Sequence, residues 1–196
     1  MVATPSTMLP LGSPLPSFTL SGPDATMWST DDAAGAPAIV VAFLCPHCPY
    51  VKHIEARFGE VATDLTSRGA AVVAVQSNAI EDYPQDGPEQ MAAQAVANGF
   101  RFPYLLDASQ EVAKAFKAAC TPDFFVFDAD GRLVYRGQLD DSRPKNDRPV
   151  TGRDLRAALD AVLAHEPPAA DQFPSLGCNI KWHKGNEPTY FPTPAR

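Results

Sequence analysis

The sequence has no hydrophobic run long enough to cross a bilayer and no block of basic residues. Its best apolar candidate, 38–44, falls far short of the roughly 18 residues that a span requires. The N-terminal segment has no basic region and is broken by prolines, which is not typical of a signal peptide. Sixteen Lys and Arg against 23 Asp and Glu leave a formal charge of −7, with no basic cluster. We therefore expect a cytoplasmic protein without nucleic-acid or membrane partners.

Cysteine is also scarce, with four in 196 residues. A chain of this length buries one core without disulfide staples, so paired cysteines in a cytosolic protein indicate redox chemistry or metal binding. Cys45 and Cys48 form a C-x-x-C pair, whereas Cys120 and Cys178 are isolated, so the second pair of a four-cysteine zinc site is missing. Redox chemistry is favoured, and zinc binding, a partner-binding module and inert buried thiols remain alternatives.

Hydrophobic periodicity predicts an α/β domain. Two continuously apolar stretches, 38–44 and 70–75, are typical of buried strands, and apolar residues at three- and four-residue steps between them predict a helix that ends near Gly69. Such a βαβ unit has parallel strands. Further helices are expected at 88–98, at 109–118 and from 151 to 163, with a hairpin of 124–127 and 133–135 between the last two and no regular structure after 165.

The C-x-x-C pair lies where the first strand passes into the helix. If Pro46 occupies the first helical turn, Cys45 faces the helix N-terminus, whose amides and dipole lower a thiol pKa from about 8.5 to roughly 3.5–7.5. Cys45 is therefore predicted as the nucleophile. Cys48, three residues later on the same helix face, is the predicted resolving thiol. His47 is a further candidate, because an imidazole N–H beside the sulfur stabilises a thiolate.

Three motifs occur in the order typical of a known family. Leu15–Leu20 resembles an opening strand, Cys45-Pro46-His47-Cys48 occupies a dithiol position, and Thr121-Pro122 followed by 124–128 resembles a cis-proline strand. The chain thus resembles the thioredoxin-like superfamily, in the redoxin branch that includes alkyl hydroperoxide reductase and thiol-specific antioxidant (AhpC/TSA) proteins, over roughly residues 12–163.

The resemblance implies a fold and its bounds. We expect a three-layer α/β/α sandwich with a mixed central sheet over residues 12–165. An N-terminal arm, 1–11, precedes it, and a proline-rich C-terminal tail, 166–196, docks on it.

The resemblance also implies a thiol-disulfide oxidoreductase that acts in antioxidant defence and cell redox homeostasis. The backbone at Thr121 and Pro122 would face the dithiol and pair with an extended substrate, which Pro46 also contacts. The substrate would be a disulfide-bearing protein or a small thiol compound, and a thioredoxin or glutathione type of donor would supply electrons. We expect no cofactor beyond the redox disulfide, no metal, and a monomer or homodimer.

Two departures from the family pattern stand out. A thioredoxin has a buried Asp on the strand before the dithiol, whereas 38–44 contains no titratable group, so any proton relay must come from elsewhere. Glu81, ranked ahead of Asp82, resembles the acid that related membrane-tethered thiol reductases use, and a solvated loop acid is the alternative interpretation. Peroxiredoxins have a Thr three residues before the peroxidatic Cys and a Pro further upstream, whereas this chain has Ala42 and no Pro between 38 and 45. Hydroperoxide reduction is therefore the alternative activity, expected to be inefficient.

The two remaining cysteines receive different interpretations. Cys120 precedes Thr121 in an extended segment, so its side chain should point inward as a buried thiol. Cys178 lies in an apolar tail segment that contains Ile180 and Trp182. A docked tail would either bring Cys178 to Cys45 as an additional redox thiol or only cover an apolar groove.

Overall fold

The predicted α/β fold is present, with more strands than the periodicity indicates. The computed structural model describes residues 3–191 and contains four α-helices and ten strands. The helices are α1 (Pro49–Ser67), α2 (Pro88–Ala97), α3 (Glu111–Ala115) and α4 (Arg153–Leu163), with 3-10 turns at Thr30–Ala33 and Pro84–Asp86. The strands are β1 (Thr4–Pro5), β2 (Thr19–Ser21), β3 (Met27–Ser29), β4 (Ala38–Phe43), β5 (Ala71–Gln76), β6 (Tyr104–Leu106), β7 (Cys120–Thr121), β8 (Asp123–Asp128), β9 (Leu133–Gly137) and β10 (Leu176–Asn179).

Seven of the strands form one mixed sheet in the order β3-β2-β6-β5-β4-β8-β9. The two predicted buried strands, β4 and β5, are parallel neighbours at its centre, and β6 continues the parallel part. β8 lies antiparallel to the other side of β4 and pairs with β9 in the predicted hairpin. The carboxyl end of β4, where the dithiol follows, therefore lies at the middle of the sheet.

The sheet separates two hydrophobic cores. Side chains alternate across a strand, so Val40 and Ala42 belong to the core beneath α1, α2 and α4, whereas Val41 and Phe43 belong to the core beneath α3. All six residues of β4 are buried, as the continuous apolar run predicts. The three-layer α/β/α sandwich with a mixed central sheet is confirmed.

The start of α1 differs from the prediction. The helix begins at Pro49, and Cys48 is its N-cap in an extended conformation, with φ −66° and ψ 123°. A proline disfavours helical geometry in the residue before it, so Pro49 prevents the helix from extending back to Pro46. Cys45 and Cys48 thus lie in a bend before the helix, and only Cys48 contacts the helix N-terminus.

The C-terminal tail contains a strand where we expected no regular structure. β10 pairs antiparallel with β1 on one side and with β7 on the other, which makes a second, three-stranded sheet. Ile180 and Trp182 beyond it are buried in the core beneath α3. The tail therefore docks as expected, but through backbone pairing as well as apolar contact. The bounds of the central domain stay a prediction.

α3 is shorter than the predicted helix at 109–118. Its N-cap, Gln110, is in the left-handed conformation with φ 64°, and the buried Gln110 side chain donates to backbone oxygens of Ser77 and Lys181 instead of capping the helix. Gln110 thereby ties the tail to the loop after β5. Within residues 3–191, no helix is both long and apolar enough to cross a membrane.

The aromatic cluster under α1 gives a test of the fold. Phe58 is fully buried, and its ring lies 5.2–6.1 Å from those of Phe100, Phe102 and Phe124. We expect Phe58→Ala to lower the free energy of unfolding by about 3–5 kcal/mol, because it removes the ring and leaves a cavity. Val96→Ala, at a helix position 85% exposed, should change it by less than about 0.5 kcal/mol. Urea denaturation measures both, and equal effects would contradict the assigned packing.

Candidate functional site

The dithiol faces the loop that contains the cis-proline. Leu44 ends the central strand with a hydrogen bond from its N–H to Val75 O, and Cys45 follows it. The peptide bond between Thr121 and Pro122 is cis. Cys45 Sγ lies 3.3 Å from Thr121 Oγ1, and Cys48 Sγ lies 3.2 Å from Thr121 O. The structure therefore brings the predicted dithiol and the predicted substrate-contact residues together, with Pro46 half-buried in the bend between the cysteines.

The edge of β7 that an extended substrate is expected to use is occupied by the tail. In the β10–β7 pairing, Cys178 lies opposite Thr121. Gly177 makes the approach possible, since a Cβ at this position would lie 2.0 Å from Thr121 O. Ser175 Oγ adds a hydrogen bond to Pro122 O at 2.6 Å. The chain's own tail thus occupies the edge expected for a substrate strand, and Cys45 nearby is 1% exposed.

Docking of the tail assembles three sulfurs. Cys178 makes a side-chain hydrogen bond with Cys48, which in turn makes one with Cys45. All three cysteines are free of disulfide bonds and belong to the same buried cluster. Cys120, also buried, points away and contacts Pro122 O at 3.8 Å, as the alternation along the strand predicts. The sulfur that Cys178 contacts is therefore that of Cys48, whereas the sequence analysis paired it with Cys45.

The electrostatics of the dithiol differ from the prediction. Burial raises the pKa of the Cys45 thiol well above its ordinary value, and interactions with Cys48 and the charge of Asp86 raise it further. Hydrogen bonds from Cys178 and from Cys45 lower the pKa of Cys48 to about 2, with a smaller contribution from the Val51 N–H at the start of α1. The lowered pKa expected at Cys45 is wrong for this structure, because Cys48 occupies the N-cap and Cys45 is buried. The thiolate is favoured on Cys48.

His47 faces a buried acid. Its Nδ1 lies 2.5 Å from Asp86 Oδ2, and its backbone N–H donates to Asp86 Oδ1 at 3.0 Å. Asn78 also donates to this carboxylate, which is fully buried. The His47 ring stacks on Tyr83 at a centroid distance of 5.8 Å. The imidazole is thereby held in one orientation beside the dithiol.

Asp86 is the acid that the sequence analysis missed. The residue assigned to the relay, Glu81, has a side chain 70% exposed and lies 3.6 Å from His183, while Asp82 is exposed. The three acids fall within six positions of one loop, so no local pattern separates them. The turn at Pro84–Asp86 directs Asp86 inward, where the amide of Gln76 donates to its backbone oxygen.

One cluster offers donors for a metal ion. Ligand atoms of Cys45, His47 and Asp86 lie within 4.8 Å of one another. Thiolate, imidazole and carboxylate are ligands that zinc accepts. In this structure, however, the imidazole and the carboxylate are hydrogen-bonded to each other, so a metal would have to replace that bond.

Comparison with known proteins identifies the family of this fold and site. The family model described as AhpC/TSA matches residues 11–136. A crystal structure of an uncharacterized conserved protein from Geobacillus kaustophilus is 49% identical, with a TM-score of 0.90 over 93% of this chain and 97% of that one. Among curated proteins, a Mycobacterium tuberculosis relative with the provisional name of a peroxiredoxin is 29% identical over 143 residues, which are 67% of this chain and 86% of the relative.

More distant structures agree in fold alone. A thiol:disulfide interchange protein of the thioredoxin family from Chlorobium tepidum is 19% identical, with a TM-score of 0.60 over 79% of this chain and 99% of that one. At that identity the likeness supports the thioredoxin-like architecture and carries no residue roles.

A second buried acid, Asp123, lies directly after the cis-proline. Its Oδ1 accepts hydrogen bonds from Ser6 Oγ at 2.7 Å and from Phe124 N–H at 3.2 Å, while Oδ2 has no partner among the described residues. Burial raises the pKa of Asp123 to about 8. The sequence analysis did not single out this residue, because an acid beside a turn proline is ordinarily solvated.

The raised pKa predicts a pH dependence of stability. An unfolded Asp loses its proton near pH 3.9, whereas folded Asp123 retains it to about pH 8. The contribution of Asp123 to the free energy of unfolding is therefore complete below pH 4. It is lost as pH rises towards 8, by at most about 1.4 kcal/mol per pH unit. Urea denaturation from pH 5 to 8 should show this loss in the wild type and not in Asp123→Asn. The control Asp130→Asn, in the exposed hairpin turn, should behave as the wild type, and parallel curves for all three proteins would contradict the assignment.

Proposed function

Because the chain belongs to the AhpC/TSA family of thioredoxin-like proteins, we propose that this oxidoreductase exchanges disulfides through Cys45 and Cys48. One observation carries the proposal. Both sulfurs contact Thr121, whose backbone lies on an edge that already pairs with an extended segment. A cysteine in such a segment comes directly to the dithiol, as the tail demonstrates with Cys178.

Cys45 is the proposed nucleophile and Cys48 the resolving thiol. The Cys45 thiolate attacks a substrate disulfide, which gives a mixed disulfide and releases one substrate thiolate. Cys48 then attacks the Cys45 sulfur, which releases the second substrate thiolate and leaves a Cys45–Cys48 disulfide. Its place at the N-cap of α1 stabilises the Cys48 thiolate for this step.

Displacement of the tail activates Cys45 in this mechanism. Burial is the largest cause of the raised Cys45 pKa, and it is relieved when β10 leaves the β7 edge. Departure of Cys178 also removes the strongest hydrogen bond to the Cys48 thiolate. The proton of Cys45 passes to the neighbouring His47, and Asp86 acts as a positioning residue through its bonds to His47. Glu81, at the surface, has no part in this step.

The geometry favours a polypeptide substrate. Thr121 and Pro122 offer backbone groups to an extended chain, which is recognition by β-augmentation, and Pro46 lies beside the reacting sulfur. Small disulfides remain a second substrate class. A thioredoxin or glutathione type of donor restores the dithiol, and the reaction takes place in the cytoplasm. It uses no cofactor beyond the disulfide itself. The protein acts as a monomer or homodimer. The reduction potential of the Cys45–Cys48 pair sets the direction of exchange, and a difference of about 30 mV changes the equilibrium constant tenfold.

Two alternatives have an observation in their favour. The Mycobacterium tuberculosis relative is named a peroxiredoxin, but Ala42 stands here where the peroxiredoxin pattern has Thr, so hydroperoxide reduction is secondary. The Cys45, His47 and Asp86 cluster supports zinc binding. Hydrogen peroxide consumption with a thiol reductant tests the first alternative, and elemental analysis with thiol titration tests the second.

The proposed nucleophile gives the most direct prediction. Cys45→Ser should abolish dithiothreitol-driven insulin reduction, because serine cannot form the mixed disulfide. Cys120→Ser, at a buried thiol on the other side of β7, should retain the wild-type rate if it folds with the wild-type circular dichroism spectrum. Wild-type turnover in Cys45→Ser would exclude this mechanism.

The charge of Asp86 predicts a shift in the pH profile. Burial, the interaction with Cys48 and the negative charge of Asp86 together raise the Cys45 pKa. Asp86→Asn removes the charge and keeps the size of the side chain, so the pH at which insulin reduction reaches half its maximum should fall. A uniform loss of rate with an unchanged midpoint would indicate a structural role only. Asp82→Asn, in the exposed part of the same loop, is the control and should not move the midpoint.

A further inference from the structure

Three features of the tail concern Cys178 in particular. β10 is held on both edges, by β1 and by β7, so Cys178 has a defined position opposite Thr121. Hydrogen bonds on both flanks reinforce that position, from Ser6 N–H to Ser175 O at 3.0 Å and from Ile180 N–H to Ala119 O at 3.0 Å. The Cys178 side chain is 3% exposed. Pairing on both edges of β10 therefore holds the Cys178 thiol in a fixed position beside the dithiol.

The contact of Cys178 is selective for one sulfur. It makes its side-chain hydrogen bond with Cys48, at the N-cap of α1, and β10 packs against that helix. Cys120 is close in sequence to the loop, but its sulfur is turned towards Pro122 O. Adjacent strand residues point to opposite faces, so the pairing of β10 with β7 selects Cys178 for Cys48 and leaves Cys120 out.

We propose that Cys178 is a third exchange thiol whose partner is Cys48, so that the disulfide formed by the dithiol passes onto the tail strand. This inference rests on the proposed function, since the Cys45–Cys48 disulfide supplies the oxidising equivalents. It assigns the tail a catalytic part in addition to covering the site.

The step balances within the protein. The Cys178 sulfur, as a thiolate, attacks the Cys48 sulfur of the Cys45–Cys48 disulfide. The Cys48–Cys178 bond forms, the Cys45–Cys48 bond breaks, and Cys45 leaves as the thiolate. The proton lost by Cys178 is taken up at Cys45, so no external oxidant or reductant is needed. In the reduced protein the hydrogen bond with Cys48 and burial raise the Cys178 pKa, and the charge of Lys181 opposes this. In the Cys45–Cys48 disulfide the Cys48 sulfur is no longer a thiolate, so the first of these causes is absent.

The transfer has two consequences. Cys45 is again a thiol while the protein stays oxidised at Cys48. The tail is also bonded covalently to the start of α1, so the β7 edge is closed to a polypeptide substrate. Reduction of the Cys48–Cys178 bond reopens that edge.

A Cys45→Ser variant isolates the proposed pair. The reduced variant is treated with one equivalent of diamide, which removes two electrons and two protons from a pair of thiols. Remaining thiols are then blocked with N-ethylmaleimide, and peptides are mapped without reduction. The expected main product is a Cys48–Cys178 cross-link, which is lost in Cys45→Ser/Cys178→Ser. Wild-type protein oxidised with glutathione disulfide should contain both Cys45–Cys48 and Cys48–Cys178 links.

The controls separate this inference from the proposed function. Cys178→Ser should still form the Cys45–Cys48 disulfide, and its failure to do so would contradict the dithiol mechanism itself. A Cys45→Ser protein with the wild-type circular dichroism spectrum that cross-links Cys48 to Cys120, or forms no Cys48–Cys178 link, would overturn the role of Cys178. If that variant does not fold, absence of the Cys48–Cys178 peptide from oxidised wild-type protein would overturn it equally.

Discussion

Backbone pairing between β10 and β7 is the interaction on which the rest of the site depends. It satisfies an edge of β7 that would otherwise present unpaired backbone groups, and it places Cys178 opposite Thr121. Gly177 permits the close approach to Thr121 O, and β1 holds the outer edge of the tail strand. The position of Cys178, and through its hydrogen bond the lowered pKa of Cys48, follow from this contact.

The closed site concentrates negative charge in a dry environment. Asp86 is fully buried beside His47, and a thiolate on Cys48 is stabilised by donors from two other cysteines. A second thiolate on Cys45 would face both charges without water to screen them, which is why burial and Asp86 act in the same direction on its pKa. In the proposed mechanism, departure of the tail would therefore change both the access to Cys45 and its pKa.

The site combines features of the family in a particular way. The chain belongs to the AhpC/TSA family, yet Ala42 replaces the threonine of the peroxiredoxin pattern, and the strand before the dithiol contains no acid. Its buried acid enters instead from the loop after β5, through Asp86, and contacts His47 within the dithiol itself. A dithiol with its acid on a separate loop, covered by its own tail, is suited to exchange that requires an opening step.

The sequence by itself determined which segments form the central strands and the helices that cover them, because strand and helix periodicities and turn residues depend only on residues close together in the chain. β4, β5, α1 and the β8–β9 hairpin all follow from such patterns, and the order of three motifs identified the family. Only the tertiary structure decided which acid meets His47, since Glu81, Asp82 and Asp86 share one loop and differ only in the direction that the chain turns. Likewise, Cys178 reaches Cys48 because the register of β10 against β7, which are far apart in the sequence, is a property of the whole fold. The burial that raises the Cys45 pKa is decided at that level too.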